Sequence, residues 1–421
     1  MQDDYADPGH DRVLGGRAAD YWTVAAAVLL SAYYLLTVLG SLGSVSDRSG
    51  NYGFDFRDTI WLPLRDFMGG GVPWDVDYYL KKYTFAQNFP LYTPAYWWLV
   101  APFVVLPYRI SAGAWVLLCV WSLVWLVRRT LRVLAPEVLV RFPWLIMVLS
   151  VSLCMTRPGR AGILSCNWAV FCSVAAAVLL FRGWQAPATR WLVFLSLVKP
   201  QTGIVAVLHQ WPMGRIRATV QSVCLAAILS IPPIFICMDR MGGAVPFMQV
   251  IHKVLQVGDG MGNGPGQEGS TRVDMVGTLG HIIGHEPTGW GPFLLLLVAA
   301  TLTLPLYAMG IRRLGAHNPF VLVMGALGLC IILPNQIYST TVLFPPLVAL
   351  SLVIAQRQQG RLLAGLCVAL LLVPFANTGP VFGIMGLDTI EANIVTGLSL
   401  ATVTLPAGAG ILQAFRERTA S

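Results

Sequence analysis

Uncharged apolar runs of membrane-crossing length recur along this chain and constrain its fold more than any other feature. Residues 22–46 hold no Asp, Glu, Lys or Arg, and neither do residues 315–356. A helix that crosses a hydrocarbon core about 30 Å thick needs about 20 mostly apolar residues. Lipid offers no partner for backbone N–H and C=O groups, so such a segment must pair them internally as a helix. Composition agrees: 56% of the 421 residues are hydrophobic and 11% are charged, too little charge to cover a soluble globule of that size. A soluble enzyme, a disordered chain and a nucleic-acid-binding domain are excluded. The expected fold class is an all-α polytopic membrane protein.

Further apolar runs lie at 91–108, 110–127, 142–156, 161–181, 191–214 (interrupted by Lys199), 218–238, 287–311, 362–387 and 393–415. The 315–356 run is long enough for two spans broken near Pro334-Asn335. The length rule then gives about 12 transmembrane helices. They form a single transmembrane domain over 22–415, with a cytoplasmic tail at 1–21 and another at 416–421. Residues 1–20 lack a cationic stretch before a short apolar one, so the first run is expected as a retained anchor. Arg109, Arg157, Arg160, Arg215, Arg217, Arg312, Arg313, Arg357, Arg361, Arg416 and Arg418 fall on the N-terminal side in short connections, which makes that side cytoplasmic. Arg128, Arg129, Arg132 and Arg141 conflict with this pattern and would face outward. Two polar loops, 47–89 and 239–286, then face the exterior or periplasm of the plasma or inner membrane.

The net charge of +8 reflects arginines flanking spans, which attract anionic lipid headgroups. The eight cysteines fall in or beside apolar runs with no CxxC spacing and read as small buried hydrophobes. His281 and His285 are spaced like a metal pair but have no supporting carboxylate arrangement. No cofactor and no metal site is expected, although a divalent metal is left open.

In the first loop, Asp55 stands between Phe54 and Phe56, with Arg57 and Asp58 following. A carboxylate in such apolar company has its proton affinity raised, which suits a general base; solvated loop charges or a local ion pair are the plain alternative. Residues 60–67 have the spacing of an amphipathic juxtamembrane helix on the membrane surface, with Pro63 near its start. Trp74, Asp75 and the aromatic residues after them are either interfacial anchors or stacking surfaces for a sugar ring. Lys199 beside Pro200 is costly inside a span. It is a functional candidate unless it snorkels to an interface. Asn335 to Ser339, including Gln336 and Tyr338, interrupt an apolar run and need protein or water partners. In the second loop, Gln267, Arg272 and neighbouring glycines offer donors for an anionic or hydroxyl-rich ligand.

These stretches, in this order, resemble glycosyltransferase family 87, enzymes of the GT-C fold that use polyprenyl-phosphate sugars. The resemblance runs over most of residues 20–350. It rests on Asp55-Phe56-Arg57, Gly71-Val72-Pro73-Trp74-Asp75, Phe89 to Pro94 leading into Ala101 to Pro107, Arg160 to Asn167, Leu197-Val198-Lys199-Pro200 and Ser270 to His281. A Gln that the family places before Asn167 is missing, and the mannosyltransferase branch's Ser-Pro-x-x-Trp-x-His segment is absent. Gln336-Ile337-Tyr338-Ser339 looks more like the arabinan-branching arabinofuranosyltransferases of actinobacterial walls.

The resemblance implies inverting transfer of arabinofuranose or mannose from a polyprenyl-phosphate donor to an envelope glycan or glycolipid acceptor outside the cytoplasm. Asp55 would be the base, with Asp58 as fallback. Lys199, Arg272 and Arg57 would meet the donor phosphate. Asn167, Gln267, Gln336, Tyr338, Trp74 and Asp75 would meet substrate. The rival reading is a transporter or flippase of lipid-linked sugars, for which Lys199 would be a coupling residue.

Overall fold

A computed structural model describes residues 14–42, 52–86, 88, 90, 92–181, 186–260, 272–285, 287, 290–332, 336–376, 381 and 384–420. Among the described residues there are helices and turns, one isolated antiparallel bridge between Arg272 and Gln336, and no strand. Among the described residues, six helices are long and apolar enough to cross a membrane: Arg17–Ser41, Tyr108–Leu134, Ile216–Arg240, Gly291–Arg313, Ile337–Ala355 and Thr389–Thr419. The chain is therefore an all-α, multi-pass membrane protein. Several other apolar runs are broken into helices too short to cross alone, and the breaks position the candidate site.

Helix α1 (Leu14–Ser41) opens the fold. After it, α2 (Phe54–Phe56), a π-helical turn (Arg57–Trp61) and α3 (Leu62–Met68) run on as one rod, followed by α4 (Val76–Lys82). The helix expected over 60–67 is present but begins earlier. Pro63 has no N–H, so carbonyls in the preceding turn lose their helical donor. Two tyrosine hydroxyls replace it: Tyr96 donates to the Thr59 carbonyl at 2.7 Å and Tyr79 to the Asp58 carbonyl at 2.8 Å. The apolar face of this rod is buried, with Trp61 packed on Tyr108. Protein covers that face, which corrects the expectation of a helix lying on the membrane surface.

The run 91–108 holds a 3-10 turn (Pro94–Tyr96) and α5 (Trp97–Val104), with Pro102 inside it. Eight helical residues rise about 12 Å, well short of a crossing. Helix α6 (Tyr108–Leu134) consequently begins beside the far end of α1. Tyr108 donates to the Gly53 carbonyl at 3.2 Å and Arg109 to the Leu42 carbonyl at 3.1 Å. Arg128, near the other end of α6, pairs with Asp20 near the start of α1. The two helices are antiparallel neighbours, and this corrects the sequence-based topology. Arg128, Arg129, Arg132 and the following Arg141 sit at the proximal end of the bundle, with the N-terminus of α1. Arg109 sits at the opposite, distal end. One apolar run that does not cross reverses the parity of the helices after it.

Helices α7 (Pro136–Arg141), α8 (Leu145–Met155) and α9 (Arg157–Ser165) lead back distally. The Tyr34 hydroxyl donates to the Cys154 carbonyl at 2.5 Å, and the Gly53 N–H to the Leu164 carbonyl at 2.7 Å. Arg157 and Arg160 therefore belong to the distal side as well. Helix α10 (Ala169–Leu179) descends from there. Next, α11 (Ala186–Leu197) and α12 (Pro200–Gln210) replace the single span expected over 191–214 with a helical hairpin. Its base is tied by Arg215, which donates to Gln210 and to the carbonyls of Leu179 and Phe181. Its tip is Val198-Lys199. The hairpin closes because Gly203 has no Cβ: one there would lie 2.5 Å from the Leu197 Cα.

Helix α13 (Ile216–Arg240) reaches the distal loops, where Arg240 donates to the carbonyls of Phe67 and Gly71 at 2.8 Å. Helices α14 (Ala244–Gly260) and α15 (Met275–Ile283) lie in the second polar loop. Then come α16 (Gly291–Arg313), α17 (Pro319–Ile331), a 3-10 helix (Ile337–Leu343), α18 (Phe344–Ala355), α19 (Arg361–Ala376) and a final pair, Thr389–Thr402 and Thr404–Ala420. Arg418 donates to the Arg313 carbonyl, which places the C-terminal helix beside the end of α16.

The revised parity is testable by cysteine labelling in sealed vesicles. Cys224 is the one exposed native cysteine and is first removed as Cys224→Ser. Arg17→Cys and Arg141→Cys are expected to react from the same face and Arg109→Cys from the other. Labelling of Arg17→Cys and Arg109→Cys from one common face, with Arg141→Cys reacting from the other, would restore a full crossing at 91–108.

Candidate active site

Two left-handed backbone positions bring the site together. Gly53 (φ 70) precedes α2 and turns the chain so that Asp55 enters the protein. A Cβ at Gly53 would lie 3.2 Å from both the Leu42 side chain and the Tyr108 hydroxyl. On the other side, α9 ends with the Asn167 N–H on the Gly162 carbonyl and the Cys166 N–H on the Ile163 carbonyl. That closure normally uses glycine at the left-handed residue; here Cys166 adopts it, at φ 56 and ψ 44. A non-glycine residue in this region is locally strained, and such strain clusters at functional sites. The turn aims Asn167 at Asp55.

Asp55 is 6% exposed. Its Oδ2 accepts from Asn167 Nδ2 at 2.7 Å and its Oδ1 from Asn88 Nδ2 at 3.3 Å. Burial raises its proton affinity more than these donors lower it, and the charge of Asp58 adds to the rise, so its pKa is pushed up to about 6. Asn167 is itself held: its Oδ1 accepts from the Ala169 N–H at 2.7 Å and from the Tyr92 hydroxyl at 3.0 Å. Tyr338 stands beside Asn167 and Asp55. Lys199 lies over the Tyr338 ring, 5.3 Å from its centroid, and donates to Ser339 Oγ at 3.1 Å. Thr93 binds the hairpin tip through its N–H to the Val198 carbonyl at 3.2 Å. The buried cluster thus joins residues from the first loop, α9, the hairpin tip and the 3-10 helix.

Other candidates have different surroundings. Asp58 is fully buried and faces Arg57, with Nε on Oδ1 at 2.6 Å and Nη2 on Oδ2 at 3.2 Å. Both oxygens of the fallback base are engaged, and Arg57 is further drawn to Phe85, 5.4 Å from its ring centroid. The plain ion-pair reading therefore holds for Arg57 and Asp58. Arg272 makes a two-pronged pair with Asp274 at 3.0 Å, and Asp274 also caps α15 by accepting from the Gly277 N–H. Gln336 meets Arg272 through the backbone bridge, which fastens the second loop to the segment carrying Tyr338 and Ser339. Trp74 is buried, stacked on Trp97 at 4.8 Å and edge-on to Phe247. Asp75 caps α4 by accepting from the Tyr78 N–H. Trp74 and Asp75 hold the loop together through these contacts. Gln267 lies outside the described residues. Gly284 ends α15 in a left-handed turn before His285, so the His281/His285 spacing does not fall on one helix.

Sequence reasoning misses Asn88 and reads Tyr92 only as an aromatic near a span. An Asn in a polar loop carries no pattern of its own, and Tyr92 matters through its hydroxyl. Asp66 escapes it too: this residue is buried and accepts on Oδ1 from Lys82 at 2.6 Å, Tyr83 at 3.1 Å and Tyr78 at 3.2 Å. No family model, no curated protein and no solved structure matches the chain.

Asp55 has a direct stability consequence. Its folded pKa of about 6 lies above the unfolded value of about 3.9. The protonated form therefore stabilises the fold fully below about pH 4, and that contribution is lost as pH rises through 6. Ionisation at pH 7.5 costs about 3 kcal/mol by linkage. Asp55→Asn is expected to raise Tm at pH 7.5 and to leave it nearly unchanged at pH 4, by thermal unfolding in detergent. Equal shifts at both pH values would contradict the raised proton affinity.

Proposed function

We propose that this protein is a glycosyltransferase of GT-C type, working on the non-cytoplasmic side of the membrane with a polyprenyl-phosphate sugar as donor. The observation that carries the reading is a buried, amide-bound Asp55 with raised proton affinity in one cluster with the buried amine of Lys199. The transferred sugar is arabinofuranose or mannose, and the acceptor is a cell-envelope glycan or glycolipid. The order of motifs that resembles family 87 supports this choice.

In the proposed reaction Asp55 takes the proton of an acceptor hydroxyl. The freed oxygen bonds to the anomeric carbon from the face opposite the leaving group, so the configuration inverts. The carbon–oxygen bond to phosphate breaks, and its electron pair leaves on polyprenyl phosphate. A fixed cation opposite the developing charge lowers the barrier, and we assign that role to Lys199. A base tuned near the working pH contributes about 10²–10⁴-fold.

Sidedness follows from the arginines. Arg128, Arg129, Arg132, Arg141, Arg215 and Arg313 fall at the proximal end once α6 runs antiparallel to α1. Positively charged short connections favour the cytoplasm, so the proposal takes the proximal end as cytoplasmic and puts Asp55 outside, together with Arg109, Arg157 and Arg160. About twelve traverses are part of the proposal. Short apolar helices such as Leu145–Met155, Ala169–Leu179, Pro319–Ile331 and Arg361–Ala376 would supply partial crossings beside the long ones.

The test is transfer from synthetic polyprenyl-phosphate arabinose and mannose in detergent, with Asp55→Asn and Lys199→Met. Asp55→Asn is expected to lose about 10²-fold or more while remaining folded. The wild-type rate is expected to fall as pH drops through about 6, where the base becomes protonated. Specific donor binding without transfer from either sugar would instead support translocation of lipid-linked sugars. Substantial activity in Asp55→Asn would remove the assigned base.

A further inference from the structure

The two oxygens of Asp55 are held unequally. Oδ2 receives the short bond from Asn167, whereas Oδ1 receives the longer one from Asn88. The Asn167 amide cannot exchange its ends, because its Oδ1 already accepts from a backbone N–H, that of Ala169, which can only donate. The Tyr92 hydroxyl donates to the same oxygen. The Asn167 amino group is thus committed to Asp55 by contacts made elsewhere. We propose that Asn167 is a positioning residue: it anchors Asp55 through Oδ2 and leaves Oδ1 as the oxygen that receives the proton. This rests on the reading of Asp55 as a base and differs from a direct substrate contact by Asn167.

The groups that face Asp55 from each neighbouring element are Asp58 on the π-turn, Ser165 and Cys166 at the end of α9, Tyr92 before the 3-10 turn, Tyr338 on the second 3-10 helix and Lys199 at the hairpin tip. The Asn167 donor, followed by those of Asn88 and Ser165, favours the ionised carboxylate. Its loss raises the pH at which Asp55 gives up its proton.

Two variants separate the donor from the cap. Asn167→Asp keeps an oxygen for Ala169 and Tyr92 but presents a carboxylate to Asp55. Asn167→Ser keeps a smaller acceptor and adds no charge. Asp55 protonation is followed by infrared carboxyl titration, assigned by subtraction of Asp55→Asn, alongside the pH profile of transfer. The Asp55 midpoint is expected to rise by about one pH unit in Asn167→Ser and further in Asn167→Asp, and the acidic limb of the rate is expected to move with it. KM for donor and acceptor should change less than kcat. An unmoved Asp55 midpoint in both variants, with KM raised and the pH limb in place, would overturn the proposal and make Asn167 a substrate contact. The infrared result stands without any transfer activity. A moved midpoint with no transfer in the wild type would therefore uphold the anchoring and count against the base reading alone.

Discussion

A single hydrogen bond from Asn167 to Asp55 closes the candidate site across 112 residues of sequence. A carboxylate removed from water needs donors or it takes a proton. Asp55 has two amide donors and a raised proton affinity, an intermediate state between a neutral acid and a fully paired ion. The other features serve to keep it there. Gly53 and the left-handed Cys166 bend two chain segments toward each other, and the Gly53 N–H to Leu164 carbonyl bond locks those bends together.

The neighbouring carboxylates show what the alternative arrangement does. Asp58 and Asp274 each face an arginine through two bonds, and Asp66 draws Lys82 and two tyrosines onto one oxygen. Such groups fix the loops, each carboxylate with a cation on its oxygens. The same protein thus holds its carboxylates in two ways: ion pairs tie the distal loops, and one carboxylate is bound by amides.

Much of this was legible in the sequence, because membrane chains carry few polar residues and each exception stands out. Asp55, Lys199, Tyr338 and Ser339 all stand out as polar groups in apolar company. The helical class followed from run length alone. The order of crossings was not legible: 91–108 has the composition of a span, yet Pro102 and the aromatic packing around Trp97 make it a short cap helix. Lys199 looked like a charge within a helix because the break at Val198-Lys199 depends on Gly203 accepting Leu197 at close range, a tertiary fact. Trp74 and Asp75 looked like ligand contacts for the opposite reason. Their residue types suit a binding site, and only their neighbours show stacking and helix capping.

The tie between the 3-10 helix and the hairpin tip, Lys199 to Ser339, spans 140 residues. During synthesis the first loop leaves the ribosome long before α9, the hairpin or Tyr338 exist. Asp55 therefore begins as an ordinary hydrated carboxylate with a low pKa, and its proton affinity rises only once the later helices are inserted and docked. Contacts this distant in sequence form late. A nascent or truncated chain consequently carries every residue of the first loop and still lacks the buried, amide-bound carboxylate, which exists only when the bundle is whole.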